Sequence, residues 1–549
     1  MPKVAIFGGG VGGLTAAHES IERGFEVEIY DVKPALWGGK ARSMGAPGTG
    51  VDGRLDLPGE HGFRFFPGFY KHIPDTMSRI PYPGNANGVL DNLVPTTQFA
   101  LYREDGPPFM APVNFPDTID EWKEAMHSIF GAHLGVGLDN VAFFAGQLLK
   151  LACSCQERLD EEYDLIPWWD FVEAEQRGVP YQKFVAQGLT RSLVAMQAKV
   201  SSTRTVGTML LQLLYNMMTP GVQVDRVLNG PTNDQWIRPW TDYLQAKGVR
   251  MHLGTTLESF NLSGREVVSA TVSSGGAKRD VTADYFVSAI PAEKMAALLS
   301  PDLLAADPKL ATIRQLKVEW MNGIQFYLSA DVPVIHGHTI YADSNWALTS
   351  ISQHQFWNGV DLSRYGNGKV KGILSIDVSD WKTPGDKVVF KPAEDCTAEE
   401  IKNECWAQLK AHLDEGGQKQ LEDAELLGWH LDPDIVFGKM SETRDENIEP
   451  LLINVVGSLK LRPEAATGVR NLFLASDYVN NFTQLATMEG ANENGRRAVN
   501  GILEAEGSKA ERCAIWPYES PAIFEVAKKA DALIWELSGG GKSRAAAAS

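Results

Sequence analysis

The chain has 549 residues, of which 44% are hydrophobic, and its formal net charge is −18. Because a chain of this length exceeds one hydrophobic core, we expect two domains. The negative charge argues against binding to nucleic acid and disfavours anionic lipid surfaces. The chain passes from Met1 straight into an apolar strand without room for a signal peptide. This predicts a cytoplasmic protein, with peripheral membrane contact as an open alternative.

A nucleotide-binding unit is predicted at the start of the chain, where a strand (VAIFGG), a helix (LTAAHESIERG) and a second strand (FEVEIYD) follow one another. Gly8, Gly10 and Gly13 permit a tight turn, the approach of backbone amides to a pyrophosphate, and close packing of helix on strand. Asp31 closes the second strand, where a carboxylate accepts hydrogen bonds from an adenosine ribose. The pattern predicts an ADP moiety and leaves open whether its other half is a nicotinamide or a flavin.

Two further segments favour the flavin. The segment ALWGGKARS places the cations Lys40 and Arg42 after a glycine turn, beside a negatively charged diphosphate. Near the C-terminus another buried strand ends at Asp477, and a helix opens near Thr487. A dinucleotide with a ribityl chain and a three-ring head needs contacts at both ends. The N-terminus of this second helix would stabilise negative charge on the reduced ring.

The stretches between these signals, residues 75–224 and 300–453, are rich in Trp, Phe, Met and Leu. They include the apolar helical segments VAFFAGQLLKLACS and MLLQLLYNMM. Aromatic surface is added by four tryptophans: Trp168, Trp169, Trp236 and Trp240. Such side chains line a dry channel or form ordinary core. The uncharged segment 205–222 is too short to span a bilayer and predicts a buried helix or tunnel wall, with a face that dips into lipid as the alternative.

Together, GGGVGG, GGKARS, LFLASD and TMEGA resemble the FAD-containing flavin amine oxidase superfamily. Within it, PGEHGFRFFPGFYKH and GPTNDQWIRPWTDYLQAKGVRMHLGTTLESF are similar to the phytoene desaturase and hydroxysqualene dehydroxylase branch. The resemblance implies an α/β fold in which a discontinuous, Rossmann-like FAD-binding domain carries an inserted, mixed α+β substrate domain. The expected FAD-binding segments are 1–75, 225–300 and 454–510; the expected substrate-domain segments are 76–224, mostly helical, and 301–453, a sheet with helices; and 511–549 is expected to be a helix and a flexible tail.

The resemblance also implies which residues bind the cofactor. They are Gly8, Gly10, Val11, Gly12 and Gly13 at the pyrophosphate, Asp31 at the adenosine ribose, Gly39, Lys40 and Arg42 beside the diphosphate, Leu257 at the adenine, Gly62, Phe63 and Arg64 near the flavin, Asp477 at the ribityl and phosphate region, and Met488 and Glu489 over the ring. The segment NNFTQLATMEG lacks the Cys that tethers flavin in some relatives, so we expect non-covalent FAD.

The chain departs from the family pattern at two places. Amine oxidases of the superfamily usually carry a lysine, bridged by water to the flavin N5, on the strand that here reads WMNGIQFYLSADVP. The aligned residue is Asn322, whereas Lys317 lies five residues earlier and on the opposite face of a regular strand. Plant-type desaturases carry an arginine where this chain has Gln235, with Arg238 three residues on. The first departure weakens the amine oxidase interpretation, and the second leaves the substrate open.

The expected reaction is transfer of a hydride from a substrate C–H bond to flavin N5, with loss of an adjacent proton, in a lipophilic substrate such as an isoprenoid or polyene. His61 and Arg64 are the candidate catalytic residues, with a packed histidine and a salt-bridged arginine as equally good interpretations. The alternatives are a flavin amine oxidase and a flavin isomerase or non-catalytic lipid-binding flavoprotein. Oxygen, a quinone or a second flavoprotein could accept the electrons. No metal site is expected, because His336 and His338 lack a companion acid or Cys at ligand spacing.

Overall fold

The computed structural model describes residues 1–104, 106–112, 135–188, 190, 196–219, 221–414, 419–438 and 446–540. Its α-helices are α1 Val11–Glu22, α2 His72–Ser78, α3 Leu138–Ala152, α4 Gln156–Glu161, α5 Trp168–Phe171, α6 Thr203–Met217, α7 Arg238–Ala246, α8 Ala292–Leu298, α9 Pro301–Ala306, α10 Ala398–Leu413, α11 Met488–Glu506 and α12 Ala522–Leu537. π-helical turns cover Tyr181–Gln187 and Asn233–Ile237. The predicted tail from residue 541 onward lies outside the described residues.

Three sheets contain the strands β1 Lys3–Phe7, β2 Glu26–Tyr30, β3 Gln98–Tyr102, β4 Phe109–Pro112, β5 Arg250–His252, β6 Thr256–Ser263, β7 Glu266–Ser274, β8 Ala277–Val281, β9 Tyr285–Ser288, β10 Asn322–Leu328, β11 Gly337–Tyr341, β12 Leu348–Ser352, β13 Gly372–Val378, β14 Leu426–Leu431 and β15 Leu472–Leu474. Shorter ribbons join Ser43–Gly45 to Pro58–Glu60, Leu93–Pro95 to Arg226–Leu228, Val318–Glu319 to Leu451–Leu452, and Ile435–Val436 to Glu446–Asn447.

A five-stranded parallel sheet forms the nucleotide-binding half, in the order β15-β9-β1-β2-β5. Strands buried on both faces read as continuous apolar runs, which is why VAIF is recognisable in the sequence. The sheet takes its strands from three separate stretches of the chain. This confirms the expected fold class, a discontinuous Rossmann-like domain, while the boundaries given above remain predictions.

Helices α1 and α11 pack against each other without side chains between them at one point. A Cβ on Gly12 would collide with the Ala475 carbonyl oxygen, and a Cβ on Gly495 would lie 2.7 Å from the Gly12 carbonyl oxygen. Only glycine permits this separation of the two backbones. The packing therefore brings the C-terminal strand and helix against the N-terminal glycine turn, as the flavin interpretation required.

A seven-stranded sheet forms the other half, in the order β14-β10-β13-β12-β11-β3-β4. All neighbours are antiparallel except β3 and β11, which run parallel. Helix α10 packs on this sheet, where Trp406 and Phe326 of β10 place their ring centroids 5.0 Å apart. A separate three-stranded antiparallel sheet, β6-β7-β8, lies between the strands of the nucleotide half in sequence.

The apolar helices α3, α5 and α6 form a hydrophobic core of their own. Phe144 and Leu148 of α3, Trp168 of α5 and Met209 of α6 belong to one buried cluster. The helix predicted within 205–222 is confirmed as α6. Among the described residues, no helix has both the length and the hydropathy to cross a bilayer.

Trp236 and Trp240 form core, the second of the two interpretations given for the tryptophans. Both side chains are fully buried in the core of the nucleotide half. Their rings stack with centroids 6.0 Å apart, and the Trp240 indole N–H donates to Nδ1 of His18 in α1 at 3.0 Å. Tryptophans at helical spacing give the same sequence signal whether they fill a core or line a channel.

Candidate active site

The glycine turn leaves the first turn of α1 open to an anion. Gly8 has φ +108°, a conformation that side chains rarely adopt, and a Cβ there would lie 2.5 Å from the Ala289 carbonyl oxygen. Gly10 is the N-cap of α1, and neither a side-chain cap nor an acidic residue occupies the first turn, which begins with Val11, Gly12 and Gly13. The unpaired N–H groups and the helix dipole together favour a phosphate at this end.

A second glycine turn faces the first across a narrow gap. The Gly38 N–H donates to the Gly9 carbonyl at 2.9 Å, and Gly39 has φ +55°. A Cβ on Gly39 would lie 3.0 Å from the Gly10 Cα, whereas a Cβ on Gly10 would meet only the Gly39 Cα, at 3.8 Å. The two backbones form a cradle that a side chain would fill, and its shape fits the diphosphate of a dinucleotide.

Asp31 lies at the end of β2 with both carboxylate oxygens bound to the backbone. It accepts hydrogen bonds from the Gly9 N–H at 2.5 Å and the Lys33 N–H at 2.8 Å. Burial raises the pKa of Asp31 in spite of these two donors. The Thr255 N–H donates to the Asp31 carbonyl at 2.8 Å. The start of β6, which carries the half-buried Leu257, therefore begins close to the predicted ribose position.

The two cations after the second glycine turn are held by a distant segment. The Lys40 ammonium contacts the Pro450 carbonyl. The buried Arg42 guanidinium bonds to the Gly39 carbonyl at 2.6 Å, to Glu449 at 3.2 Å and to Asp434. Sequence reasoning placed both cations beside the diphosphate and did not foresee these acidic partners. Their contact with a cofactor stays a prediction.

His61 belongs to a buried polar cluster. Its Nδ1 lies 2.5 Å from Oδ2 of Asp432 and 3.7 Å from Oδ2 of Asp434. The amide of Asn322 donates to Asp432 at 2.6 Å, and Asn447 donates to Asn322 at 2.7 Å. Burial disfavours the imidazolium, but the two carboxylates outweigh burial and raise the pKa of His61. Both ring nitrogens of His61 are buried, and neither has a well-formed hydrogen bond among the described residues, so Nδ1 meets Asp432 as a close charge pair.

The three ionisable members of this cluster have ligand atoms within 4.8 Å of one another, close enough for a metal ion. The cluster is already balanced, because Arg42 and Lys33 both form ion pairs with Asp434. We assign it no metal, and the expectation of none remains a prediction. No local sequence pattern pointed to this cluster, since Asp432 and Asp434 lie far along the chain from His61.

Residues 60–64, the EHGFR segment, lie directly on the seven-stranded sheet. A Cβ on Gly62 would lie 2.7 Å from Asp377 of β13, and one on Gly323 of β10 would lie 2.8 Å from the Gly62 Cα. The Gly323 N–H donates to the His61 carbonyl at 2.7 Å. Paired glycines thus let backbone meet backbone, and the contact fixes the positions of His61, Phe63 and Arg64.

Two carboxyl groups with raised pKa values flank Arg64. Burial raises the pKa of Glu60 to about 7 and that of Asp377 to about 6, although Arg64 opposes both shifts. Arg64 is held by the carbonyls of Lys40 at 2.9 Å and Arg42 at 3.3 Å and lies 4.0 Å from Glu60. The packed, salt-bridged interpretation of Arg64 therefore describes its contacts. Asp377, which sequence reasoning missed, accepts the Phe63 N–H at 3.3 Å and keeps a partly accessible side chain.

His338 has an acidic partner, Asp225, which the sequence spacing did not indicate. Its Nδ1 lies 2.5 Å from Oδ2 of Asp225, which also accepts the Thr96 hydroxyl at 2.8 Å. The rings of Phe63 and Phe65 each lie 5.2 Å from the His338 ring. The fold brings Asp225 to a histidine for which the sequence showed no companion within ligand spacing. This pair lies beside the same motif as Asp377.

The three C-terminal residues predicted to bind FAD, Asp477, Met488 and Glu489, each have different neighbours. Asp477 follows β15 and is half-buried, and its carbonyl accepts the Arg462 guanidinium at 2.9 Å. Met488 is the first residue of α11. The Glu489 carboxylate accepts three backbone N–H groups at the start of α2, at 2.7–2.9 Å, and Nδ1 of His72 at 2.8 Å. This carboxylate caps α2, so only the backbone of Glu489 is left to face a cofactor.

Lys317 lies outside the buried polar cluster of His61 and Asp432. It is exposed and precedes the short strand Val318–Glu319. Asn322 is buried at the start of β10 and bound on two sides, as described above. The described residues thus place no ammonium beside Asn322, and its alignment with the lysine of amine oxidases stays a prediction.

Comparison with known proteins identifies the family. A sequence model of the family described as flavin-containing amine oxidoreductases matches residues 11–503. A probable zeta-carotene desaturase from Synechococcus elongatus is 22% identical over 92% of this chain and 100% of its own length. Cyclohexylamine oxidase from Brevibacterium oxydans has a TM-score of 0.59 at 13% identity, covering 92% of this chain and 99% of that one. An oxidoreductase from Methanosarcina mazei has a TM-score of 0.58 at 14% identity, covering 91% and 100%.

The family match spans most of the chain, and the space between the paired glycine turns fits the diphosphate of FAD. The chain therefore belongs to the flavin-containing amine oxidoreductase family, and it is an FAD-dependent oxidoreductase.

Proposed function

We propose that the enzyme dehydrogenates a large apolar molecule, such as an isoprenoid or polyene, and introduces a carbon–carbon double bond. The observation that carries this proposal is Asn322. Where an amine oxidase would place its lysine, this chain has an amide bound to Asp432 and Asn447, and Lys317 is exposed. The full-length similarity to a probable zeta-carotene desaturase supports the same substrate class.

The surroundings of the EHGFR segment suit an apolar substrate. The side chains of Phe63 and Phe65 keep accessible surface next to this motif. A Cβ on Gly68 would lie 2.7 Å from the Val222 side chain, so the motif packs against the chain that follows α6. Met217 and Met218 at that end of α6 are also partly accessible. Flexible and aromatic side chains of this kind adapt to a long hydrocarbon.

FAD, when bound, supplies a two-electron acceptor that takes a hydride from the substrate. The residues proposed to hold it are Gly8, Gly10, Val11, Gly12 and Gly13, Asp31, Gly39, Lys40 and Arg42, Leu257, Gly62, Phe63 and Arg64, Asp477, Met488, and the backbone of Glu489. The glycine turns bind phosphate, the sheet and the EHGFR segment orient the substrate, and the apolar side chains exclude water.

The proton lost from the adjacent carbon needs an acceptor. The partly accessible Asp377 meets this need, because burial brings the pKa of its carboxyl to about 6 and leaves it able to take a proton near neutral pH. His61 is proposed as the other candidate acceptor for this one proton, with Asp432 beside its Nδ1. Arg64 is proposed to balance negative charge next to Asp377. The departing hydride and proton together leave the new double bond.

Anaerobic mixing of the enzyme with polyenes and with amines tests the proposal. Bleaching of the flavin absorbance by an apolar polyene, with a product two hydrogens lighter, is the expected result. Bleaching by amines alone would replace the proposal with amine oxidation. A rearranged product without bleaching would indicate an isomerase. Repeating the reoxidation step with oxygen, a quinone or a second flavoprotein identifies the electron acceptor.

A further inference from the structure

The C-terminal helix α12 is fixed to the surface by one face. Asp531 accepts the Arg158 guanidinium at 2.9 Å and the Cys155 N–H at 2.9 Å. The same guanidinium lies 4.7 Å from the centre of the Trp535 ring. Phe524 stacks on Tyr215 with ring centroids 5.9 Å apart. These contacts define which face of α12 points inward.

The opposite face of α12 is apolar and exposed. Its large side chains are exposed by 67% for Ile523, 76% for Val526, 57% for Leu533, 58% for Ile534 and 79% for Leu537. Ala530 is exposed between them. A contiguous apolar stripe of this kind on a folded protein marks an interaction surface.

The spacing within the stripe points to another helix. The exposed positions 523, 526, 530, 533 and 537 alternate by three and four residues, the a and d pattern of a coiled coil. Helices that lie on lipid carry an excess of Lys and Arg on their polar face. On α12 the two lysines, Lys528 and Lys529, are outnumbered by three acids, Glu525, Asp531 and Glu536, and the whole chain carries −18. Charge therefore disfavours an anionic membrane and allows a protein partner.

We propose that a second copy of this chain covers the stripe, with the two α12 helices antiparallel across a two-fold axis. Val526 of one copy then packs on Leu537 of the other, and Ala530 packs on Leu533. The same register places Lys529 opposite Glu536 of the second copy, and the symmetry repeats this ion pair. Neither Lys529 nor Glu536 forms an ion pair among the residues that the structure describes. An in-register parallel pair would place Lys529 near Ile534 and leave both charges without a partner.

The size of the contact sets the expected affinity. A helix of 16 residues is about 24 Å long, so one helix pair forms an interface at the small end of the specific range. We expect a reversible dimer with a dissociation constant in the range of about 1–100 μM. The contact is independent of the proposed reaction, since it involves no residue of the EHGFR segment or the glycine turns.

Sedimentation of the full-length FAD-bound protein at about 1 to 300 μM tests the proposal. We expect the wild type to become dimeric and the double variant Val526→Glu/Leu533→Glu to stay monomeric. Phe390→Glu is the matched control, because Phe390 is 77% exposed far from α12 in sequence, and this variant should dimerise like the wild type. A wild type that is monomeric at the highest concentration overturns the proposal, as does equal dimerisation of the double variant.

Charge exchange tests the antiparallel register. Lys529→Glu and Glu536→Lys should each weaken the dimer about tenfold, because each places like charges together twice. The combined variant Lys529→Glu/Glu536→Lys should return to within about threefold of the wild type. Failure of this restoration overturns the register. Flotation with vesicles of phosphatidylcholine and phosphatidylglycerol is the second arm: binding by a monomeric wild type that the Val526→Glu/Leu533→Glu variant loses would assign the stripe to a lipid surface instead.

Discussion

The Nδ1 atom of His61 lies 2.5 Å from a carboxylate oxygen of Asp432, and both side chains are buried. Asn322 fixes the same oxygen of Asp432 from the side at 2.6 Å. A carboxylate this close favours the imidazolium form of His61, and Nε2 faces no polar partner among the described residues. Asn322 at the start of β10 therefore acts through Asp432 on a histidine of the EHGFR segment.

Replacing Asp432 tests whether this carboxylate sets the titration of His61. In Asp432→Asn the amide keeps the shape of the side chain but removes its charge, so the pKa of His61 should fall from its value in the wild type, with Asp434 left as the carboxylate that opposes the effect of burial. Histidine-selective NMR titration measures the shift. Asp331→Asn is the control, because Asp331 pairs with the more exposed His354 at 3.2 Å and should leave His61 unchanged. An unaltered His61 titration in Asp432→Asn would show that Asp432 does not control it.

The parts of the fold that depend on local sequence patterns could be predicted from the sequence. The glycine turn, Asp31 at the end of β2, and the strand and helix around Asp477 and Thr487 all lie where local patterns placed them. Each depends on neighbours within a few dozen residues, where hydrophobic period, capping and glycine spacing act. The two ends of the chain then meet because glycines permit α1 and α11 to touch.

The buried polar partners could not be predicted in the same way. Asp432 and Asp225 reach their histidines only through tertiary packing, and an isolated Asp carries no signal of its future partner. The Glu489 carboxylate caps α2, because three N–H groups at the start of that short helix converge on it, and no pattern in the sequence indicated this contact. In the sequence, Asp377 is an ordinary strand residue. Its place in the site depends on Gly62, which lets the EHGFR segment pack against it.

Asp377→Asn tests the proposed proton acceptor. The amide cannot take a proton, so kcat should fall about 10²–10⁴-fold, the contribution typical of a general base. In the wild type kcat/KM should rise with pH through about 6, as the carboxylate forms, and the variant should lose this limb. Stopped-flow reduction over pH 5–8 provides both quantities. Asp361→Asn, an exposed aspartate, should retain rate and pH profile. An undiminished rate in Asp377→Asn would remove its assigned role.

Glu60 should make stability fall as pH rises. Its carboxyl has a pKa of about 7 in the folded protein, against an ordinary value of 4.5, so the folded state binds the proton more tightly than the unfolded chain. The stabilisation is full below pH 4.5 and lost as pH rises through 7. The free energy of unfolding of the wild type should therefore fall more between pH 5 and 8 than that of Glu60→Gln, by on the order of 3 kcal/mol. Urea unfolding at several pH values measures this change in the free energy of unfolding.

Glu511→Gln is the control, because Glu511 is exposed and the variant should behave like the wild type. If Glu60→Gln showed the same pH dependence as the wild type, the burial of a protonated Glu60 would be contradicted.

Gly10→Ala tests the diphosphate cradle separately from the fold. Gly10 has φ −77°, and among the described residues its added Cβ would meet only the Gly39 Cα, at 3.8 Å, so the protein without cofactor should keep its melting temperature. The methyl group fills the space between the two glycine turns, and FAD retention should fall at least about tenfold, because the turn relies on a bare backbone to approach the pyrophosphate. Absorbance of the purified protein and titration with FAD measure the loss. Gly146→Ala in α3 is the matched control: its Cβ would meet none of the described residues within 4 Å, so this variant should bind FAD normally and be slightly stabilised. Gly12→Ala, in contrast, should disrupt the contact with Ala475 and lower the melting temperature itself. Normal FAD affinity in Gly10→Ala would place the diphosphate somewhere other than between these two turns.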